Sequence, residues 1–185
     1  PNTSVTITVY RMGTSFDLTL HRELITAPTV DSMLLERDLL YIQISEFSPQ
    51  TGKQLLEHVR KYDLNEIKGI IIDERNNSGG AVDGAMQAAN IFLDAGKTIV
   101  TIQGKRGSSR DQRYLSSNKA EVSEEIPIVV LTNGGSASSA EIFAAAMRDN
   151  NRATLVGEKT FGKGIVQDVF RFGEGFAQIT TAHYY

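Results

Sequence analysis

Ile128-Val129-Val130-Leu131-Thr132-Asn133-Gly134-Gly135-Ser136-Ala137-Ser138-Ser139-Ala140-Glu141-Ile142-Phe143-Ala144-Ala145-Ala146-Met147 changes character twice. Its first four residues are apolar and mostly β-branched, which suits a buried strand. From Ile142 the run is rich in Ala and Met, which suits a helix. Between them lie glycines and small hydroxyl residues. A strand turning through glycine into a helix brings hydroxyls and unpaired backbone N–H groups to one point, where the helix dipole favours negative charge. Read alone, the stretch also fits an ordinary cap, because Ser is a preferred N-cap and Glu141 follows Ser138 at the capping-box spacing.

Working outward, strand and helix patterns alternate. Leu39-Leu40-Tyr41-Ile42-Gln43-Ile44 reads as a buried strand, and Ser48-Pro49 as a helix start with Ser at N-cap. Leu55, Leu56, Val59 and Tyr62 recur at helical spacing, with His58 on the polar sector as a solvated histidine. Gly69 to Asp73 is a continuous apolar strand, a helix is expected from Val82 to Asp94, and Lys97 to Ile102 is a further strand. Gly104 to Glu125, rich in Gly, Ser and charge, reads as a mobile surface excursion with short strands around Tyr114. After the Ile142 helix come a strand at 153–156 and a hairpin, Val166 to Phe172 and Phe176 to Thr181, turning at Gly173-Glu174-Gly175. This alternation implies βαβ units and an α/β core, with the Asp73, Asn133 and Val156 loops leaving strand ends, where sites gather in such sheets.

Val5, Ile7 and Val9, then Phe16, Leu18 and Leu20 after Met12-Gly13-Thr14, form a hairpin pattern that needs a sheet to join. Thr26 to Thr29 is a linker punctuated by Pro28.

Composition removes several classes. With 41% hydrophobic and 22% charged residues the 185-residue chain should pack a core of one ordinary domain. A net charge of −3 with no dense Lys/Arg block argues against nucleic acid. The absence of cysteine excludes thiol catalysis, disulfides and thiolate metal sites. No apolar run has the roughly 18 residues of a membrane span, and no targeting segment opens the chain.

Two further glycine-framed stretches flank the same chemistry. They are Asp73-Glu74-Arg75-Asn76-Asn77-Ser78-Gly79-Gly80 and Val156-Gly157-Glu158-Lys159-Thr160-Phe161-Gly162-Lys163-Gly164-Ile165-Val166-Gln167. Gly157 to Lys163 fits the first seven positions of the phosphate-binding G-x-x-x-x-G-K-[ST] pattern, but Gly164 replaces the metal-holding hydroxyl and a β-rich run follows where a helix is required. That weighs against a nucleotide. A serine nucleophile needs a base, and none of His21, His58 or His183 stands in a glycine-framed loop. Lysine is protonated at an ordinary pKa of about 10.4 and serves as a base only where apolar burial favours its neutral form. Lys163, with Phe161, Ile165 and Val166 around it and no acid nearer than Glu158 or Asp168, suits that better than Lys159 beside Glu158.

The three stretches, in this order, resemble the signatures of the carboxyl-terminal processing (tail-specific) serine proteases, peptidase family S41. The resemblance runs from about Thr29 to Tyr185. It implies a ClpP/crotonase-like core over residues 27–185, C-terminally truncated. The hairpin of residues 1–26 would be the closing strands of a mostly absent PDZ domain. The resemblance further implies that Ser138 is the nucleophile and Lys163, 25 residues on, the general base. That spacing selects Ser138 over Ser136 and Ser139. Gln167, on the same side of an extended segment as Lys163 and Ile165, would position the lysine. The oxyanion hole would be the backbone N–H of Gly80 and of Ser139, with Asn76 and Asn77 bracing the turn.

The implied activity is an endopeptidase cleaving near free C-termini of protein or peptide substrates through a Ser/Lys dyad and an acyl-enzyme. No metal or cofactor is implied, a homo-oligomer is allowed, and the expected location is extracytoplasmic, the bacterial periplasm or envelope. Without its tail-binding PDZ domain the chain is expected to act weakly or not at all on large substrates. The competing class is a non-catalytic peptide-binding or assembly scaffold of the same shape.

Two positions depart from the family pattern. Ser139-Ala140 stands where Ala-Ser is usual, although catalysis needs only the backbone of residue 139. Glu74 replaces an apolar residue, which is expected to set an extra charge near the glycine turn.

Overall fold

The computed structural model describes residues 2–23, 26–104 and 111–185. Five strands form the central sheet in the order β3-β4-β5-β8-β9. They are β3 (Val30–Leu35), β4 (Leu39–Ile44), β5 (Gly69–Asp73), β8 (Ile128–Thr132) and β9 (Thr154–Gly157). β4, β5, β8 and β9 run parallel to one another, and β3 pairs antiparallel to β4. The apolar run Gly69-Ile70-Ile71-Ile72-Asp73 occupies the middle strand, where Ile70 and Ile72 are fully buried, as expected of a strand covered on both faces.

The crossovers are α1 (Thr51–Val59), α2 (Val82–Phe92) and α3 (Ser139–Asp149). α1 packs on α2 and α2 on α3. Small residues permit the close approach: a Cβ on Gly52 of α1 would lie 2.3 Å from Cβ of Gln87 on α2. Phe143 of α3 meets Phe92 of α2 edge-on at 6.2 Å and Phe47, before α1, at 6.1 Å, which locks the start of α3 to the core.

The strand after α2 leaves this sheet. β6 (Thr98–Gly104) joins β7 (Gln112–Leu115), β10 (Ile165–Phe172) and β11 (Gly175–Tyr184) in a second, antiparallel sheet of order β10-β11-β6-β7. The alternation thus implied more of a parallel sheet than exists, because periodicity does not say which sheet a strand joins.

Several local expectations need correction. α1 begins at Thr51, not at Pro49, because Ser48 and Thr51 close a turn of their own: the Ser48 N–H donates to Thr51 Oγ1 and Thr51 N–H to Ser48 O. α2 ends at Phe92, two residues short of Asp94. Val30–Leu35 is a strand that the sequence pattern did not mark, since its side chains are mostly exposed at the sheet edge. Part of the supposed mobile excursion lies at residues 105–110, outside the described residues. The rest is packed: Ser116 and Val122 are buried, Arg60 pairs with Glu121 at 2.7 Å, and the buried Arg152 guanidinium donates to Phe92 O, Ile126 O and Ser123 O. His58 is half-buried with Nδ1 2.6 Å from Ser32 Oγ, and burial followed by the nearby Lys61 lowers its pKa, so it is not simply solvated.

The N-terminal hairpin, β1 (Ser4–Arg11) and β2 (Thr14–His21), forms as patterned. Met12 and Gly13, at φ 51° and 81°, make the left-handed two-residue turn that matches strand twist. Val5, Ile7 and Val9 pair with Leu20, Leu18 and Phe16 on one face, while Thr6–Thr19 and Thr8–Asp17 hydroxyl bonds occupy the other. Among the described residues its strands pair only with each other.

Candidate active site

Three loops leave the carboxyl ends of parallel strands β5, β8 and β9 and meet at the start of α3. The turn after β8 ends in Ser138, the N-cap of α3, with φ 55° and ψ −114°. A non-glycine residue at such φ is strained, and sharp strand-to-helix turns of this kind lift a side chain out of the backbone. Phe143 and the fully buried Ala140 hold the helix behind it.

The three serines of the turn have different surroundings. Ser136 is fully buried, donating to Glu74 O at 2.7 Å and accepting from the Asn133 N–H at 3.1 Å. Ser139 is fully buried and donates to Gly80 O at 2.9 Å. Ser138 is half-buried and lines a cavity of about 570 Å³.

The β5 loop packs directly on this turn. A Cβ at Gly79 would fall 2.6 Å from Ala137 O and 2.9 Å from both Ser138 Cβ and Ser139 N, so only glycine permits the approach. Asn77 braces it from below: Oδ1 accepts the Gly79 N–H, Nδ2 donates to Ile44 O, and its carbonyl accepts the Ala137 N–H. Asn76, at φ 63°, exchanges hydrogen bonds with the Asn133 side chain. Phe47 pairs with Gly80 in an isolated parallel bridge, Phe47 N–H donating to Gly79 O and Ala81 N–H to Phe47 O. The N–H groups of Gly80 and Ser139 have no hydrogen-bond partner among the described residues.

Glu74 does not stand at the surface of the glycine turn. Its side chain is completely buried, and neither carboxyl oxygen has a partner among the described residues. Burial first, and repulsion from Asp73 second, raise its pKa well above the ordinary value. Asp73 is the ionised neighbour, held below the usual carboxylate range: burial opposes this, but hydrogen bonds from Arg75 and Tyr41 outweigh it.

Lys163 lines the same cavity as Ser138. The apolar shield that the sequence suggested is absent: Lys163 is exposed, and Phe161 is 70% exposed. What holds this loop is Glu141, which sequence reasoning saw only as half of a capping box. One carboxylate accepts the Ser138 N–H at 2.8 Å, the Gly162 N–H at 2.7 Å and the Lys163 N–H at 2.8 Å. Burial alone would raise the Glu141 pKa, but hydrogen bonds from Thr160, Ser138, Gly162 and Lys163 hold it below its ordinary value. The capping-box spacing located this residue; its second role depends on a loop more than twenty residues away, which no local pattern reports.

Gln167 is placed elsewhere. It is exposed, its Oε1 accepts from Gln178 Nε2 at 3.0 Å, and it does not line the cavity. A β-bulge between Val166 and Gln167 breaks the alternation that would have set Lys163 and Gln167 on one side. His183 is on β11 and His21 on β2, neither lining the cavity.

Residues 38–185, most of the chain, match the model of peptidase family S41. The chain belongs to peptidase family S41. Within the S41 relatives, the "Probable CtpA-like serine protease" of Staphylococcus aureus strain N315 is 37% identical over 94% of this chain and 34% of its own length. The protein of the same name from Staphylococcus saprophyticus is 35% identical over 94% of this chain and 35% of its own. The chain thus spans about a third of these relatives. Among solved structures, the photosystem II D1 C-terminal processing protease superposes with a TM-score of 0.73 at 26% identity, covering 99% of this chain and 51% of that one. The mixed α/β fold is therefore that of S41 protease structures.

Proposed function

We propose that this chain is the core of a serine endopeptidase that hydrolyses peptide bonds near the C-terminus of protein substrates. The observation that carries the reading is the meeting at one cavity of Ser138, strained on a helix tip, and Lys163, with two unbonded N–H groups on the serine's flank. In this reading Ser138 Oγ attacks the substrate carbonyl carbon while its proton passes to neutral Lys163 Nζ. The oxyanion forms against the Gly80 and Ser139 N–H groups. As the carbon–nitrogen bond breaks, Lys163 returns the proton to the departing amine, leaving Ser138 acylated. Water then attacks the ester carbon while Lys163 takes its proton, and as the bond from that carbon to Ser138 Oγ breaks Lys163 gives the proton to Oγ, which frees the serine and releases the new C-terminal acid.

A lysine works as a base only when neutral, and exclusion of water favours that form. A peptide filling the cavity would exclude water from Lys163, which reconciles its exposure with its role. Gln167 would hold the lysine on release from Gln178.

The finer assignments belong to the same reading: a ClpP/crotonase-like core over residues 27–185, the first 26 residues as closing strands of a PDZ domain, substrates with free C-termini, and an extracytoplasmic location. The single-face apolar pattern of the hairpin supports the domain division, since such strands need a sheet to cover them.

The rival reading, a non-catalytic peptide-binding or assembly scaffold, draws on the exposure of Lys163. Reaction with a fluorophosphonate separates the two. The peptidase reading expects the reagent on Ser138, lost in Lys163→Ala with the circular dichroism spectrum unchanged. A folded wild-type protein that never labels Ser138 favours the scaffold.

A further inference from the structure

We propose that the Ser139 hydroxyl, and not merely the residue's backbone, serves the reaction as a positioning group that screens the Gly80 carbonyl and fixes the Gly80 N–H toward the oxyanion. The inference rests on the peptidase reading above and assigns a role to a side chain at a position where the sequence departs from its family's pattern.

The geometry follows from the planarity of two successive peptides. The Gly79–Gly80 peptide is anchored through its carbonyl, which accepts the Phe47 N–H at 2.8 Å. Because a trans peptide points its C=O and N–H in opposite directions, the Gly80 N–H faces away from Phe47. The Gly80–Ala81 peptide is anchored through its N–H, which donates to Phe47 O at 2.6 Å, so the Gly80 carbonyl also faces away from Phe47. Donor and acceptor of Gly80 therefore project to the same side, the side on which the serine turn packs.

That arrangement carries an electrostatic conflict. A carbonyl oxygen beside a developing oxyanion opposes the negative charge that the neighbouring N–H is there to stabilise. Ser139 resolves it: its buried hydroxyl donates to Gly80 O at 2.9 Å, while its own N–H, 2.9 Å from where a Cβ of Gly79 would lie, remains unbonded among the described residues. One residue thus supplies a donor to the oxyanion and neutralises the acceptor beside it. The substrate carbonyl carries little charge before attack, so the benefit appears mainly in the transition state.

Ser139→Ala is expected to lower kcat about tenfold with KM within twofold, a smaller loss than deletion of an oxyanion donor itself. A peptide aldehyde, which forms a tetrahedral adduct, should lose affinity by the same factor while a product peptide binds as before. Ser139→Thr, which keeps the hydroxyl, should recover most of the loss, and thermal melting establishes that each variant is folded. The inference is overturned if a folded Ser139→Ala keeps wild-type kcat, or if aldehyde and product affinities fall together. A wild-type protein that neither turns over peptide nor labels at Ser138 sinks the peptidase reading and this inference with it. An active wild type matched by Ser139→Ala sinks this inference alone.

Discussion

Between the β5 loop and the serine turn, cross-links run through side chains and backbone alike: Asn76 to Asn133, Ser136 to Glu74, Ala137 to Asn77 and Ser139 to Gly80. The lysine loop, by contrast, is held mainly through its backbone, with the Thr160 side chain adding a bond to Glu141. Glu158 N–H donates to Thr132 O, Phe161 N–H to Ser136 O, and Gly162 and Lys163 N–H to the Glu141 carboxylate, while the Phe161 and Lys163 side chains stand in solvent. The serine side therefore presents its reacting groups already oriented. The lysine side fixes where the chain runs and leaves the amine to be settled by what occupies the cavity. Preorganised donors are the part of a site that costs nothing at the moment of reaction, which is reason to spend cross-links on that side.

The largest expected effect probes the lysine side directly. Lys163→Ala should slow fluorophosphonate labelling of Ser138 by at least about a thousandfold. Because the side chain is exposed, the melting temperature should hardly move. A variant that labels as fast as wild type would mean the amine never reaches the serine, and the contrast between the two sides would lose its functional meaning.

Glu141 touches both sides through three backbone N–H groups. Glu141→Ala removes the acceptor of three backbone N–H groups and should cost about ten- to a hundredfold in labelling rate, with some loss of stability. Its folded pKa is depressed, so its stabilisation is fully present above the unfolded value, near the ordinary 4.5, and is lost as pH falls through the lower folded value. Wild-type stability should show an acid step below about pH 4.5 that is absent in Glu141→Gln. Persistence of that step in the variant would assign it to other carboxylates, Asp73 first.

Glu74 tests whether the serine side is as settled as its cross-links suggest. Its folded pKa is raised, so at low pH both states keep the proton, and as pH rises past the unfolded value the native state alone retains it. Stability therefore falls with rising pH until the folded pKa is passed, and at neutral pH the native state carries the penalty. Glu74→Leu should stabilise the protein by about 1–3 kcal/mol at pH 7, less below pH 4.5, as measured by urea denaturation. Destabilisation would reveal an interaction of the buried acid that stiffens the turn.

Sequence periodicity was informative where burial is continuous or one-sided. Gly69–Asp73, Ile128–Thr132 and the hairpin strands form at the expected places because their patterns record their surroundings. It was silent at Val30–Leu35, an exposed edge strand held by its ladder to β4, and misleading about β6, whose sheet is chosen by tertiary pairing. In the site, the strand-turn-helix junction was legible from glycines and β-branched residues. Glu141 as a tie between loops, the complete burial of Glu74 and the exposure of Lys163 were not, because each depends on residues distant in the chain.

Gln167 supplies the smallest and most discriminating effect. Its amide is engaged by Gln178 across the β10–β11 ladder, on an exposed surface where a single neutral hydrogen bond contributes about 0.5–1.5 kcal/mol at most. If the lysine side keeps this arrangement during the reaction, Gln167→Ala should change labelling by less than threefold and Gln178→Ala no more. If the lysine is instead held by Gln167 once a peptide fills the cavity, the two variants must diverge. Gln167→Ala would then lose about tenfold in kcat, while Gln178→Ala, by freeing the amide, would lose nothing or gain. Measured side by side, the pair states whether the lysine side is organised before substrate arrives or by it.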